Sequence, residues 1–331
     1  MDRFFVIINE ANENAWSAYV WSDVKDKAVI RYDNNVLRSP LLKKLKKLHF
    51  GNKVNKKCWL PFKSVWDASL SLRYDDLQAT DRNILIFQSS VKFSPGFIRK
   101  LKREKNAVIV QYLPDTLQKL GIADSEEAYE RYKRYYGIDM SFSFDRRDCE
   151  KYHAGFFDIY SSDAAAGMPR QELYDLFYVG SARTDERLEL LHSICRQTEA
   201  LRCCYYMIGV EEDKQRYPER ITYNRPLRYE EVVAKTLNSN CILEMMNDNQ
   251  DGNTLRFKEA VCYNKKLLTN NRAAFDSPYY DERYIRVFDD VSEIDPGWIA
   301  QKCEVDYRYG GEYSPKRLLE MIVGQLDGRN E

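Results

Sequence analysis

Residues 240–271, NCILEMMNDNQDGNTLRFKEAVCYNKKLLTNN, limit the possible folds more than any other stretch of this chain. Residues 241–246 form an apolar run of strand length, followed by a polar loop with a single glycine, Gly252. A helical period comes next, with Phe257, Ala260 and Val261 on one face, and residues 266–269 give a second strand. Strand, glycine loop, helix, strand is a βαβ unit, and its loop lies where such units bind phosphates. Asn253 suits the helix N-cap, and Gly252 frees the backbone just before it. Arg256 and Lys258 then occupy the first turn and a half, where the positive end of the helix dipole disfavours cations. A bound anion relieves that conflict, with Arg256 and free N–H groups converging on it. The alternative is a surface pair between Arg256 and Glu259, three residues apart.

The same rhythm recurs along the chain. Residues 4–8, 28–32, 83–87 and 107–112 read as strands, and Ser94-Pro95 opens a helix between the last two. A helix over 125–136 and a strand over 140–144 follow, running into Asp145-Arg146-Arg147-Asp148, read as a tight polar turn. A second series begins with a strand over 176–179 and the loop Gly180-Ser181-Ala182-Arg183. It continues through a helix over 185–199, a strand over 203–208, a helix over 228–238 and a strand over 284–288. At 331 residues the chain suits two domains. The expectation is an α/β fold with two Rossmann-like domains: an N-terminal domain over 1–150, a linker over 151–173, a C-terminal domain over 174–313, and a final helix within 314–331.

The net charge of zero hides an asymmetry: residues 1–110 carry 21 Lys+Arg against 11 Asp+Glu, a net +10 that the remainder cancels. A basic region suits an acidic surface or ligand. No recognised nucleic-acid motif accompanies the charge, so nucleic acid is not an expected partner. The eight cysteines include no C-x-x-C pair and there are only three histidines, so no metal site is expected. Reduced cysteines, no leader-like amino terminus and no apolar run of membrane-helix length point to the cytoplasm. Leu41, Leu42, Leu45 and Leu48 share one face of a helix with Lys43, Lys44, Lys46 and Lys47 around the rest. Such a face packs on a sheet, the commoner case, or rests on an anionic membrane surface through residues 41–50.

If the strands of the second series are parallel, its two glycine loops open on one sheet edge. Arg183 and Arg256 then bring positive charge together, and Glu259 is placed to accept hydrogen bonds from a ribose diol. That set suits a nucleoside diphosphate. Tyr223-Asn224 and Tyr229 lie where a base could lodge. Glu244, inside an apolar strand, is read as an outward-facing edge residue, with a place near the site as the functional alternative. No Ser-His-Asp set, P-loop or HExxH is present.

The runs YDLFYVGSARTDERLELL, YYMIG, ITYNRPLRYEEVV, SNCILEMM and QDGNTLRFKEAVCYNKKLLTNN resemble the C-terminal half of bacterial GT-B glycosyltransferases from capsule and lipopolysaccharide clusters. The resemblance implies two Rossmann-like domains facing across a cleft. It also implies metal-independent transfer from a nucleotide-sugar, without a cofactor, to a growing surface polysaccharide or a lipid-linked saccharide. It sets Gly180, Ser181 and Arg183 near the diphosphate and Tyr223 and Asn224 near the base. Gln250, Gly252, Asn253, Thr254 and Arg256 fall on the donor sugar and phosphates, Glu259 on the ribose, and the final helix crosses back to the first domain. Glu10, Asp33 and Asp115, at expected strand ends, are the candidates for a catalytic base. Two departures stand out: Asn264 replaces a usual glycine, and the residue eight before Glu259 is Asp251 rather than Glu. A non-catalytic nucleotide-binding module and a nucleotide-sugar epimerase are the alternatives.

Overall fold

The computed structural model describes residues 1–8, 16–32, 37–56, 58–158, 161–162, 170–182, 184–246 and 254–328. The chain divides into two compact units, Met1–Ile159 and Tyr160–Glu331. In the first, β1 (Asp2–Ile8), β2 (Ala28–Tyr32), β3 (Arg82–Gln88), β4 (Ala107–Leu113), β5 (Met140–Ser143) and β6 (Gly155–Phe156) form one parallel sheet in the order β2-β1-β3-β4-β5-β6. Its helices are α1 (Trp16–Trp21), α2 (Pro40–His49), α3 (Asn52–Asn55), α4 (Pro95–Lys105), α5 (Glu126–Tyr136) and α6 (Arg146–Tyr152). Ile84, Leu85, Ile86 and Phe87 are all buried, as a parallel strand covered on both faces requires.

The second unit holds β7 (Tyr174–Ser181), β8 (Cys203–Ile208), β9 (Ile221–Tyr223), β10 (Ser239–Glu244), β11 (Lys266–Thr269) and β12 (Ile285–Val287), also parallel, in the order β12-β11-β10-β7-β8-β9. Helices α7 (Asp185–Gln197), α8 (Tyr229–Leu237), α9 (Leu255–Tyr263), α10 (Pro296–Ala300) and α11 (Pro315–Leu326) accompany it. Counted from its own first strand, this sheet runs 3-2-1-4-5-6, the order of dinucleotide-binding sheets. Strand order reverses between β7 and β10, and a ligand binds beyond the carboxyl ends of strands at such a point. Ser314 caps α11 and Pro315 takes its first position, as the sequence predicts.

Three local expectations are corrected. Asp145–Asp148 is not a tight turn but a helix start: Asp145 caps α6 by accepting from Asp148 N at 2.9 Å. Asp and Arg are common in both settings, and here Asp148 and Tyr152 are the residues the helix buries. Helix α9 is capped by Thr254, whose hydroxyl accepts from Arg256 N at 3.0 Å, rather than by Asn253. The leucine face of α2 does not pack on a sheet. Leu41, Leu42, Leu45 and Leu48 are 66%, 41%, 46% and 57% exposed, while Lys46 is the buried residue of that helix. Burial falls instead on Lys46 and on Phe50, the residue that ends the helix, with His49 partly buried. At the far end of α9, Asn264 takes a left-handed φ of 51° and its Oδ1 accepts from Tyr307 N at 3.2 Å.

Candidate active site

The carboxyl ends of β7 and β10 gather a cluster of charged and hydroxyl groups. Tyr178 and Gly180 face the same side of β7, being two residues apart. A side chain at Gly180 would place its Cβ 2.1 Å from the Tyr178 hydroxyl and 3.2 Å from Arg187 Nη2. Glycine is required here for close approach, because the tyrosine ring lies over it. Arg187, in the first turn of α7, donates from Nε to the Tyr178 hydroxyl at 3.2 Å. Burial raises the Tyr178 phenol, while both Arg187 and Arg256 act to lower it. One guanidinium thus bonds this hydroxyl, and the charge of a second, on the helix after β10, is felt there.

Beside them lies a buried acidic layer. Glu259 is fully buried; one oxygen pairs with Arg256 and the other accepts from Tyr229 Oη at 2.5 Å. Burial pushes this carboxyl up, and Arg256 opposes it. The pair foreseen between Arg256 and Glu259 is thus real but buried, and it settles much of the conflict between Arg256 and the helix dipole from within. Lys258 is also buried, its Nζ 4.2 Å from the centre of the Tyr313 ring.

Glu244 is 1% exposed, which overturns its reading as an outward edge residue. Its carboxylate accepts from Thr254 Oγ1 and, at 2.5 Å, from Thr269 Oγ1. Each threonine hydroxyl in turn accepts a backbone N–H, from Arg256 at 3.0 Å and from Asn271 at 2.9 Å. Two relays from N–H through hydroxyl to carboxylate thus join the ends of β10 and β11 to the start of α9, and such chains strengthen one another.

Burial is the largest influence on Glu244 and raises it; the two threonines and Lys258 oppose. The folded protein then holds this proton to higher pH than the unfolded chain. Its stabilising share is complete below the ordinary glutamate range and is lost as pH rises through the folded value. Glu259 acts with the same sign. Glu244→Gln is expected to remove the loss of urea midpoint that Glu244 contributes as pH rises above the ordinary glutamate range. Equal slopes for the two proteins would contradict this account.

No protein-family model matches the chain, and no curated protein does. Solved structures do match. An alpha-glucosyltransferase in complex with UDP-glucose and DNA containing an abasic site aligns over 98% of this chain and 100% of its own, with a TM-score of 0.55 and 11% identity. Sucrose-phosphate synthase from Thermosynechococcus elongatus aligns over 99% and 98%, with a TM-score of 0.51 and 10% identity. The fold is that of the GT-B glycosyltransferases.

Within this GT-B fold the predicted residues fall as follows. Gly180 and Ser181 end β7, whose strand runs two residues past the expected limit. Thr254, Arg256 and Glu259 join them at the switch point. Tyr223 and Asn224 serve the β8–β9 connection. The Tyr223 hydroxyl donates to the Arg216 carbonyl at 2.5 Å and lies 2.9 Å from His192 Nε2. Asn224, at a left-handed φ of 54°, accepts from the N–H groups of Gly209 and Val210 at 2.9 and 3.0 Å. Asp115 follows β4, where its carboxylate meets Lys119 Nζ at 2.6 Å. Glu10, Asp33, Arg183, Gln250, Gly252 and Asn253 lie outside the described residues. Sequence reasoning missed Tyr178, Arg187 and Thr269. The signal available for Arg187 was a cation in the first turn of a helix that follows a glycine loop, the same sign that singled out Arg256. Among the described residues, no group of three or more His, Cys, Asp or Glu is placed to hold a metal ion.

Proposed function

We propose that this chain is a metal-independent glycosyltransferase that moves a sugar from a nucleotide-sugar donor to a saccharide or lipid-linked saccharide. It would work in the cytoplasm, at the inner face of the plasma membrane, in building a capsule or lipopolysaccharide. The observation that carries the reading is the placement of Arg187, hydrogen-bonded to Tyr178 above Gly180, and of Arg256 in the first turn of α9, at the switch point of a 3-2-1-4-5-6 sheet. Support also comes from the GT-B fold shared with a structure holding UDP-glucose.

In this reading the donor diphosphate lies across the ends of β7 and β10, against the first turns of α7 and α9. Arg187 and Arg256 hold its charge as the bond to the sugar breaks, which is stabilisation of a leaving group by fixed donors. Glu259 and Tyr229 position Arg256, and both Glu259 oxygens are occupied, so a ribose diol must displace one of them to be bound there. The acceptor hydroxyl loses its proton to a carboxylate of the first unit if the reaction inverts, with Glu10, Asp33 and Asp115 as candidates.

Turnover of a nucleotide-sugar panel, with saccharide acceptors and without, tests the reading. Transfer supports it; conversion without acceptor indicates an epimerase, and tight binding without turnover a binding module. The similar alpha-glucosyltransferase is complexed with DNA, which removes the ground for excluding nucleic acid, so a DNA duplex belongs among the acceptors tried. Arg187→Ala is expected to weaken UDP binding about tenfold, as for a lost charge-assisted bond. Unchanged affinity by calorimetry would remove Arg187 from the site.

A further inference from the structure

Six of the ten exposed large hydrophobic residues among those described lie between positions 41 and 65. Four are the leucines of α2, and the others are Phe62 and Val65, exposed to 78% and 66%. His49 locks the two segments together: its Nε2 donates to the Pro61 carbonyl at 2.6 Å, and Trp66 Nε1 donates to its Nδ1 at 2.9 Å. Phe62, directly after Pro61, is thereby brought to the C-terminal end of α2. It also holds a left-handed φ of 60°, a costly conformation for a bulky residue. The apolar residues are therefore fixed outward by a built junction.

The charge around them has one sign. No acidic residue occurs between Asp33 and Asp67, whereas nine lysines and arginines do. Lys43, Lys44, Lys47 and Lys53 are exposed. Lys46 is buried and acts on the Asp67 carboxyl, so it is spent inside the fold. A short helix with leucines on one side and lysines on the other sits in the plane of a lipid interface, apolar side down, with ammonium groups at headgroup level. A second copy of the chain would set this basic rim against its own like charge. DNA would use the lysines and leave the leucines and Phe62 without a role.

We infer that α2 and the Pro61–Trp66 turn form one docking surface for an anionic lipid bilayer, with the leucines and Phe62 inserted and the lysines drawing the protein in. This names the surface behind the membrane location in the transferase reading, yet its test requires no donor or acceptor. The full chain is spun with vesicles of phosphatidylcholine alone, and of phosphatidylcholine with an equal part of phosphatidylglycerol. Wild type is expected to sediment with the mixed vesicles only, less so as salt rises. Leu42→Ser with Leu45→Ser and Phe62→Ser is expected to lower partitioning at least tenfold while the melting temperature and UDP affinity stay unchanged, since these side chains are exposed. Lys43→Gln with Lys44→Gln and Lys47→Gln is expected to weaken binding and flatten its salt dependence. A wild type that ignores the mixed vesicles overturns the proposal. So does a dimer in light scattering that the serine variant dissolves, or binding to a DNA duplex that the serine variant retains while no vesicle binds. Failure of transfer assays with vesicle binding intact would sink the enzymatic reading alone.

Discussion

Arg256→Ala is expected to damage two properties at once. UDP affinity falls by about 1–3 kcal/mol through loss of a charge-assisted bond. Stability falls by about 3–5 kcal/mol, because Glu259 is left as a buried carboxylate whose remaining partner is Tyr229. The two effects separate with a second variant. Glu259→Gln removes the buried charge and keeps the guanidinium, so the double variant with Arg256→Ala should regain much of the stability and none of the affinity. Chemical denaturation reads the first and calorimetry the second. If the double variant binds UDP as wild type does, Arg256 serves only the fold.

Gly180→Ala should be nearly as severe for a single methyl group. The new Cβ would meet the Tyr178 hydroxyl at 2.1 Å and Arg187 Nη2 at 3.2 Å, with no slack in the strand because Gly180 pairs with Met207 of β8. Tyr178 is buried and must move as a whole ring, at a cost of about 1–3 kcal/mol for overpacking. Arg187 loses its acceptor in the process. The melting temperature should drop and UDP affinity should fall with it. Gly180→Ala combined with Tyr178→Phe removes the nearer contact but leaves the ring Cζ 2.6 Å from the new Cβ, so a partial rise in melting temperature over Gly180→Ala alone would confirm the cause. No change would mean that the ring has another place to go.

The sheet architecture was readable from the sequence because parallel strands buried on both faces leave continuous apolar runs, as at residues 84–87 and 241–243. The switch point was readable only in part. Arg256 stood out because it breaks a local electrostatic rule, but Tyr178, Gly180 and Arg187 meet through a ring folded over a neighbouring strand position, which no spacing encodes. Glu244 was misread for a sound reason: a buried carboxylate is costly unless satisfied, and its partners Thr254 and Thr269 are ten and twenty-five residues away. Helix α2 shows the limit of periodicity. A repeat of leucines says that one side of a helix is apolar, without saying what that side touches.

Asn264 ends α9 with a left-handed residue that is not glycine. Glycine would take the same backbone angles with less strain. It would also leave Tyr307 N without the side-chain oxygen that now receives it, while the hydroxyl of the same tyrosine donates to the Lys265 carbonyl at 3.0 Å. The exchange is therefore lopsided. Glycine eases the backbone, whereas asparagine supplies an acceptor to a segment more than forty residues away. Asn264 thus ties the segment around Tyr307 to the end of α9, and a glycine there would release it.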